Sequence, residues 1–133
     1  MAEDRERGDY DSVGVVMATK HTRARKKYFS APLQVLSKRA SAPLSDDLKA
    51  KHGISSARVR KDDSIKIMRG EFKGIEGKVT MVYSSEGRLS IEGVNREKLK
   101  GGQIPIKIHV SKVMITNLNL SDKFRKSSIE GEA

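Results

Sequence analysis

Hydrophobic and polar positions alternate in five short stretches between residues 61 and 120. These are Ser64-Ile65-Lys66-Ile67, Val79-Thr80-Met81-Val82-Tyr83, Arg88-Leu89-Ser90-Ile91-Glu92, Ile104 to Val110, and Val113-Met114-Ile115-Thr116. A period of two with many β-branched residues predicts strands that bury one face. Seven of the eleven glycines fall here, at Gly70, Gly74, Gly77, Gly87, Gly93, Gly101 and Gly102, each at or near a break in the alternation. Ser85-Glu86-Gly87-Arg88 suits a hairpin turn. Pro105 lacks an N–H, which places its strand at an edge or a bulge. Strands this short bury enough surface only by curling onto themselves, so the expected fold is mainly β, a small SH3-like or OB-like barrel. Its expected core is Ile65, Ile67, Val79, Met81, Leu89, Ile91, Ile106, Ile108, Val113 and Ile115.

Residues 20–60 lack that alternation. Ser45-Asp46-Asp47-Leu48-Lys49-Ala50-Lys51-His52-Gly53 predicts a short helix. Ser45 is placed to accept a bond from an orphan N–H, the two aspartates sit at the positive end of the dipole, the lysines lie near its negative end, and Gly53 supplies a left-handed stop. A weaker signal marks a second short helix within Pro32–Arg39, with Pro32 tolerated in its first turn. Asp62-Asp63 reads as the turn before the first strand. Glu71 and Glu76 read as partners of Lys73 and Lys78 on an exposed loop.

Charge changes the picture more than length does. The 133 residues suffice for one ordinary domain with tails, which excludes a multidomain enzyme. Lysine and arginine number 27 against 17 acids, a net charge of +10, so the natural partner is a polyanion or an acidic surface. Residues 1–19 carry net −3, residues 20–60 net +9, residues 61–120 net +4, and residues 121–133 are neutral. The chain therefore reads as an N-terminal tail (1–19), a basic N-terminal extension containing a short helix (20–60), a strand module (61–120) and a C-terminal tail (121–133). The extension opens Lys20-His21-Thr22-Arg23-Ala24-Arg25-Lys26-Lys27-Tyr28-Phe29. Such a run buries almost no apolar area and repels itself, so order is expected only on an anionic partner. Tyr28 and Phe29 suit stacking on bases or anchoring to the module. Candidate phosphate-neutralising residues here are Lys20, Arg23, Arg25, Lys26, Lys27, Lys38, Arg39, Arg58 and Arg60.

Catalytic and metal chemistry find no foothold. There is no cysteine, and His21, His52 and His109 lie far apart without ligand spacing, so no metal, cofactor or small-molecule substrate is expected. The apolar run Val13–Ala18 is too short to span a membrane. The acid-rich residues 1–12 make a poor signal peptide, and a soluble cytoplasmic protein is expected.

The most informative stretch is Asp63-Ser64-Ile65-Lys66-Ile67-Met68-Arg69-Gly70-Glu71-Phe72-Lys73-Gly74-Ile75-Glu76-Gly77-Lys78-Val79, a strand, a glycine-rich loop and a strand. Gly70, Gly74 and Gly77 permit positive φ and close backbone approach, while Arg69, Lys73 and Lys78 project cations from one tight loop. That arrangement suits a phosphate-lined groove, which RNA offers together with 2′-hydroxyls.

This stretch resembles the KOW motif. Ile91-Glu92-Gly93-Val94-Asn95, Ile108-His109-Val110-Ser111-Lys112-Val113, Ile115-Thr116-Asn117-Leu118-Asn119-Leu120 with Asp122-Lys123, and upstream Arg23 to Leu33, Leu44-Ser45 and Val59-Arg60-Lys61 extend the likeness. Together they resemble the archaeal and eukaryotic form of the large-ribosomal-subunit protein family L-twenty-four, whose eukaryotic counterpart is L-twenty-six, over about Lys20 to Lys126. The resemblance implies an SH3-like KOW barrel and a structural, non-enzymatic protein of the cytoplasmic large ribosomal subunit. It implies binding to the 5′ region of large-subunit rRNA near the tunnel exit, help in early assembly, and neighbouring ribosomal proteins as partners. Residue by residue, Gly77 matches the motif's characteristic glycine, and Arg69, Gly70, Lys73, Gly74 and Lys78 match its RNA-facing loop. The family commonly has proline after the late Ile-His pair, where this chain has Val110. Residues 1–16 match nothing in the pattern, and Met17-Ala18-Thr19-Lys20 reads as a more typical start. The alternative is a KOW-type module of a transcription elongation factor or a chromatin-associated DNA binder, although elongation factors carry an α/β domain where this chain has a basic extension. A protein-recruiting SH3 domain needs an aromatic groove, and residues 61–120 hold only Phe72 and Tyr83.

Overall fold

The alternating stretches form one antiparallel sheet in a computed structural model that describes residues 20–131. The expected start near Met17 and the acidic tail lie outside the described residues. Two units are distinguished, Met1–Ala31 and Pro32–Ala133. In the first, His21–Phe29 is helix α1. In the second, α2 spans Leu33–Arg39, β1 Ser41–Pro43, α3 Asp46–His52 and β2 Ser56–Arg58. Strands β3 (Ser64–Ile67), β4 (Glu76–Tyr83), β5 (Arg88–Glu97), β6 (Gln103–His109) and β7 (Val113–Asn117) follow, then α4 (Lys123–Glu130).

The sheet order is β6-β5-β4-β3-β7, and β1 pairs with β2 in a separate two-stranded sheet. Leu44 bridges Ile115 in parallel and the Ser45 N–H donates to the Ile115 carbonyl at 2.9 Å, which ties the small sheet to β7. The ladder makes a barrel-like domain without closing, with β6 and β7 as its edges. Pro105 lies on the β6 edge, as its missing donor requires.

Eight of the ten expected core residues are buried, Ile106 is half-buried against them, and Met81 is 55% exposed. The cause is a register shift between Val79 and Met81: Val79 pairs with Ile91, but Met81 pairs with Ser90 and Val82 with Leu89. One inserted residue reverses which side of the strand faces inward, so Val82 packs on the core in place of Met81. A second irregularity separates the Ser90–Lys107 and Asn95–Pro105 pairs, and Ile91 and Val94 are both buried along that stretch.

The core draws on both flanks of the strand module. Ala40, Ala42, Leu44 and Val59 are buried from the stretch read as a basic extension, and Ile129 from the stretch read as a tail. Helix α3 ends on left-handed Gly53 as expected, but Ser45 makes no side-chain cap bond. Asp122 caps α4 instead, its Oδ1 accepting from the Phe124 N–H at 3.1 Å. Arg125 of α4 reaches the wholly buried Asp63. Asp62 takes the expected turn at φ 67, and the Asp63 carboxylate collects the N–H groups of Arg60 and Asn119.

Candidate nucleic-acid interface

The loop between β3 and β4 is held by backbone bonds at its base. The Gly74 N–H donates to the Ile67 carbonyl at 2.8 Å, and the Ile67 N–H to the Ile75 carbonyl at 2.9 Å. Gly70 (φ 99) and Gly74 (φ 91) take conformations that side-chain-bearing residues rarely adopt. Gly77 departs from expectation, because it is not among the positive-φ glycines. It lies on β4 opposite Ile65, and a Cβ there would stand 2.8 Å from the Glu92 carbonyl oxygen and 2.8 Å from Ile91 Cγ2. Its role is close approach of β5, with no part in a left-handed turn.

This geometry leaves Arg69, Lys73 and Lys78 exposed, with no ion pair among the described residues. Glu76 pairs with Lys66 at 2.9 Å, against the expected partner Lys78, because β3–β4 register sets those two residues opposite each other. Phe72 turns inward and packs on the core.

Beside the loop lies a cleft of about 220 Å³. Arg69 and Gly70 line it from the loop, Arg88 from the start of β5, Lys107 and His109 from β6, and Lys112 from the turn that follows. Ile67, Phe72, Ile106 and Ile108 give it apolar walls, and Glu71 is its one acid. Lys107 is occupied, bonded to Glu86 at 3.0 Å and seated 4.2 Å from the Tyr83 ring centroid. Arg69, Arg88 and Lys112 have no ion pair among the described residues. His109 Nδ1 accepts from the Ser111 N–H at 3.2 Å, so a neutral ring carries its proton on Nε2.

Arg88, Lys107, His109 and Lys112 were not among the expected site residues. Taken alone they are ordinary polar positions, and two long-range contacts bring them beside the loop: the pairing of Arg88 with His109, and the Met68 N–H donating to the Lys112 carbonyl at 2.8 Å. Val110 also explains itself here: its N–H donates to the Gly87 carbonyl at 3.1 Å, a bond that proline cannot make.

The remaining expected cations sit elsewhere. Lys38 and Arg39 close α2, Arg58 lies on β2, and none of them lines the cleft. Arg60 is bonded to Asp122 at 2.5 Å, and this bond holds the Asp122 carboxyl below its ordinary value. In the first unit, the segment expected to remain without order by itself is helical. Alanine, arginine and lysine are good helix formers, and Lys26 and Lys27 complement the negative end of the dipole. No residue of α1 is buried, and nine residues make a marginal helix in water. At about 100° per residue, Lys20, Arg23, Lys26 and Lys27 share one face and Arg25 points away. Tyr28 and Phe29 meet edge to face at 5.2 Å.

Among the described residues no group of three or more His, Asp or Glu side chains could hold a metal, and no helix is long and apolar enough to cross a membrane.

Comparison with known proteins places this chain among the ribosomal proteins. The family model for ribosomal proteins L26 of eukaryotes and L24p of archaea matches residues 18–132. The large ribosomal subunit protein uL24 of Korarchaeum cryptofilum is 43% identical over 115 residues, covering 86% of this chain and 88% of that protein. The uL24 protein of Saccharolobus solfataricus is 43% identical, covering 86% and 97%. In Saccharomyces cerevisiae uL24A the identity is 43% over 108 residues, covering 81% and 84%. The chain belongs to this family of structural, non-enzymatic ribosomal proteins, and the alternative reading as an elongation-factor or chromatin module gives way to it.

Proposed function

We propose that this protein binds large-subunit rRNA in the cytoplasmic large ribosomal subunit and acts early in subunit assembly, on the 5′ region of the RNA near the exit of the polypeptide tunnel. The observation that carries this reading is the convergence of Arg69, Arg88 and Lys112, none with an acidic partner among the described residues, on one cleft beside the glycine loop. Exposed cations that are not engaged in ion pairs are partners for phosphate. Lys73, Gly74 and Lys78 extend the contact along the loop, and Gly77 lets the strand behind it pack closely. Lys20, Arg23, Arg25, Lys26 and Lys27 form a second cationic element, whose helix is stabilised when phosphates occupy its charged face. Lys38, Arg39 and Arg58 add charge on the surface of the module, whereas Arg60 is engaged by Asp122. Neutralising phosphates in this way lets RNA helices approach that otherwise repel. Neighbouring ribosomal proteins complete the surroundings.

Sedimentation through a sucrose gradient with purified large subunits stripped of this protein tests the reading: the chain should travel with the particle. If six to ten phosphates are contacted, affinity for an rRNA fragment should fall roughly 10³–10⁵-fold between 50 and 200 mM salt. A chain that stays at the top of the gradient, or a flat salt response, refutes it.

A further inference from the structure

The cleft sets cations and apolar residues side by side in one concavity. A duplex backbone presents charge and no apolar surface, so it gains nothing from Ile67, Phe72 and Ile106 in the lining. An unpaired nucleotide offers both halves of the complement, a phosphate for Arg88 and Lys112 and a base face for the apolar walls. Size agrees: about 220 Å³ lies below the ~300–1,000 Å³ of pockets for larger ligands and suits a single base. Gly70 places the loop backbone beside Lys112, whose Nζ lies 3.9 Å from where a Cβ would stand. Arg69 also lines the cleft, and a planar guanidinium stacks on an exposed base as well as bonding phosphate.

From this we infer that the cleft captures a single unpaired ribonucleotide extruded from the bound RNA. The inference rests on the RNA-binding reading above and specifies what that site takes.

The test uses the full chain and two RNA hairpins that differ only in one bulged adenine, with affinity read by fluorescence anisotropy near physiological salt. The bulged hairpin should bind roughly tenfold tighter or more, as expected when a base stacks on an aromatic or apolar surface. The double variant Arg88→Gln, Lys112→Gln, whose two side chains are exposed and make no ion pair among the described residues, should keep its thermal midpoint and lose that preference. Adenosine monophosphate at the protein's concentration should leave the preference intact. Equal binding of both hairpins overturns the cleft assignment while leaving general rRNA binding standing. So does a correctly folded double variant that still prefers the bulge, and displacement by the monophosphate would assign the cleft to free nucleotides. Failure of both hairpins and of an rRNA fragment to bind overturns the wider reading as well.

Discussion

Arg125 grips Asp63 at two points, with Nη1 2.6 Å from Oδ1 and Nη2 2.7 Å from Oδ2. Both side chains are buried, Asp63 completely and Arg125 to within 6%. The carboxylate also accepts from the Arg60 and Asn119 N–H groups, and Arg125 donates to the Arg58 and Asn119 carbonyls. One ion pair thus fastens α4 to the turn before β3. Removing one partner leaves a buried charge uncompensated, and Arg125→Leu should cost about 3–5 kcal/mol. Adding Asp63→Asn should cost much less than it does alone, because the two act as a unit. Urea unfolding of the two single variants and the double variant measures both.

Asp122 gives a pH signature. Its carboxyl is held below the ordinary value chiefly by the Arg60 side chain, opposed by some desolvation and helped by the Phe124 N–H. A lowered native pKa contributes stability that is present above the unfolded value and is lost as pH falls through the native one. Asp122→Asn keeps a good helix cap and removes the charge. Its urea midpoint should lie below the parent's at neutral pH, and the gap should close in acid below the ordinary carboxylate range.

Gly77 and its neighbours on β5 leave no room for a methyl group. Gly77→Ala should destabilise by about 1–3 kcal/mol through overpacking, since the obstructing atoms include the Glu92 backbone. Thermal unfolding without RNA detects this, and the loss should appear there before any effect on RNA affinity is considered.

The charged face of α1 makes a prediction about salt. Replacing Arg23, Lys26 and Lys27 by glutamine should lower the slope of log affinity against log salt by about 2–3 on an rRNA fragment. Arg25→Gln, on the opposite side, should change it less. Equal effects from every position would mean that the segment binds without the helical arrangement.

The strands of the main sheet were legible because their period is two and their breaks carry glycine, as Ser64–Ile67 and the Gly87 turn show. Met81 was misplaced because a bulge leaves no mark on a sequence that alternates smoothly through it. Strands β1 and β2 escaped notice because Ser41–Pro43 and Ser56–Arg58 are three residues each, rich in serine and alanine, and gain their place from packing. Helix α4 was hidden because its anchoring residue is an arginine, which composition assigns to the surface. For the candidate site, the loop was visible through its glycines and cations. Arg88 belongs to it through the register of β5 against β6, and Lys112 through its backbone bond to Met68 beside β3, neither of which local pattern encodes.

The grip of Arg125 on Asp63 also orders events in time. While the polypeptide is being synthesised, Asp63 emerges 62 residues ahead of its counter-ion. Until Arg125 has followed, the strands that enclose Asp63 hold an acid without a mate, and the seam between α4 and the turn before β3 stays unfastened. A chain that lacks Arg125 keeps that seam loosened and open to proteases.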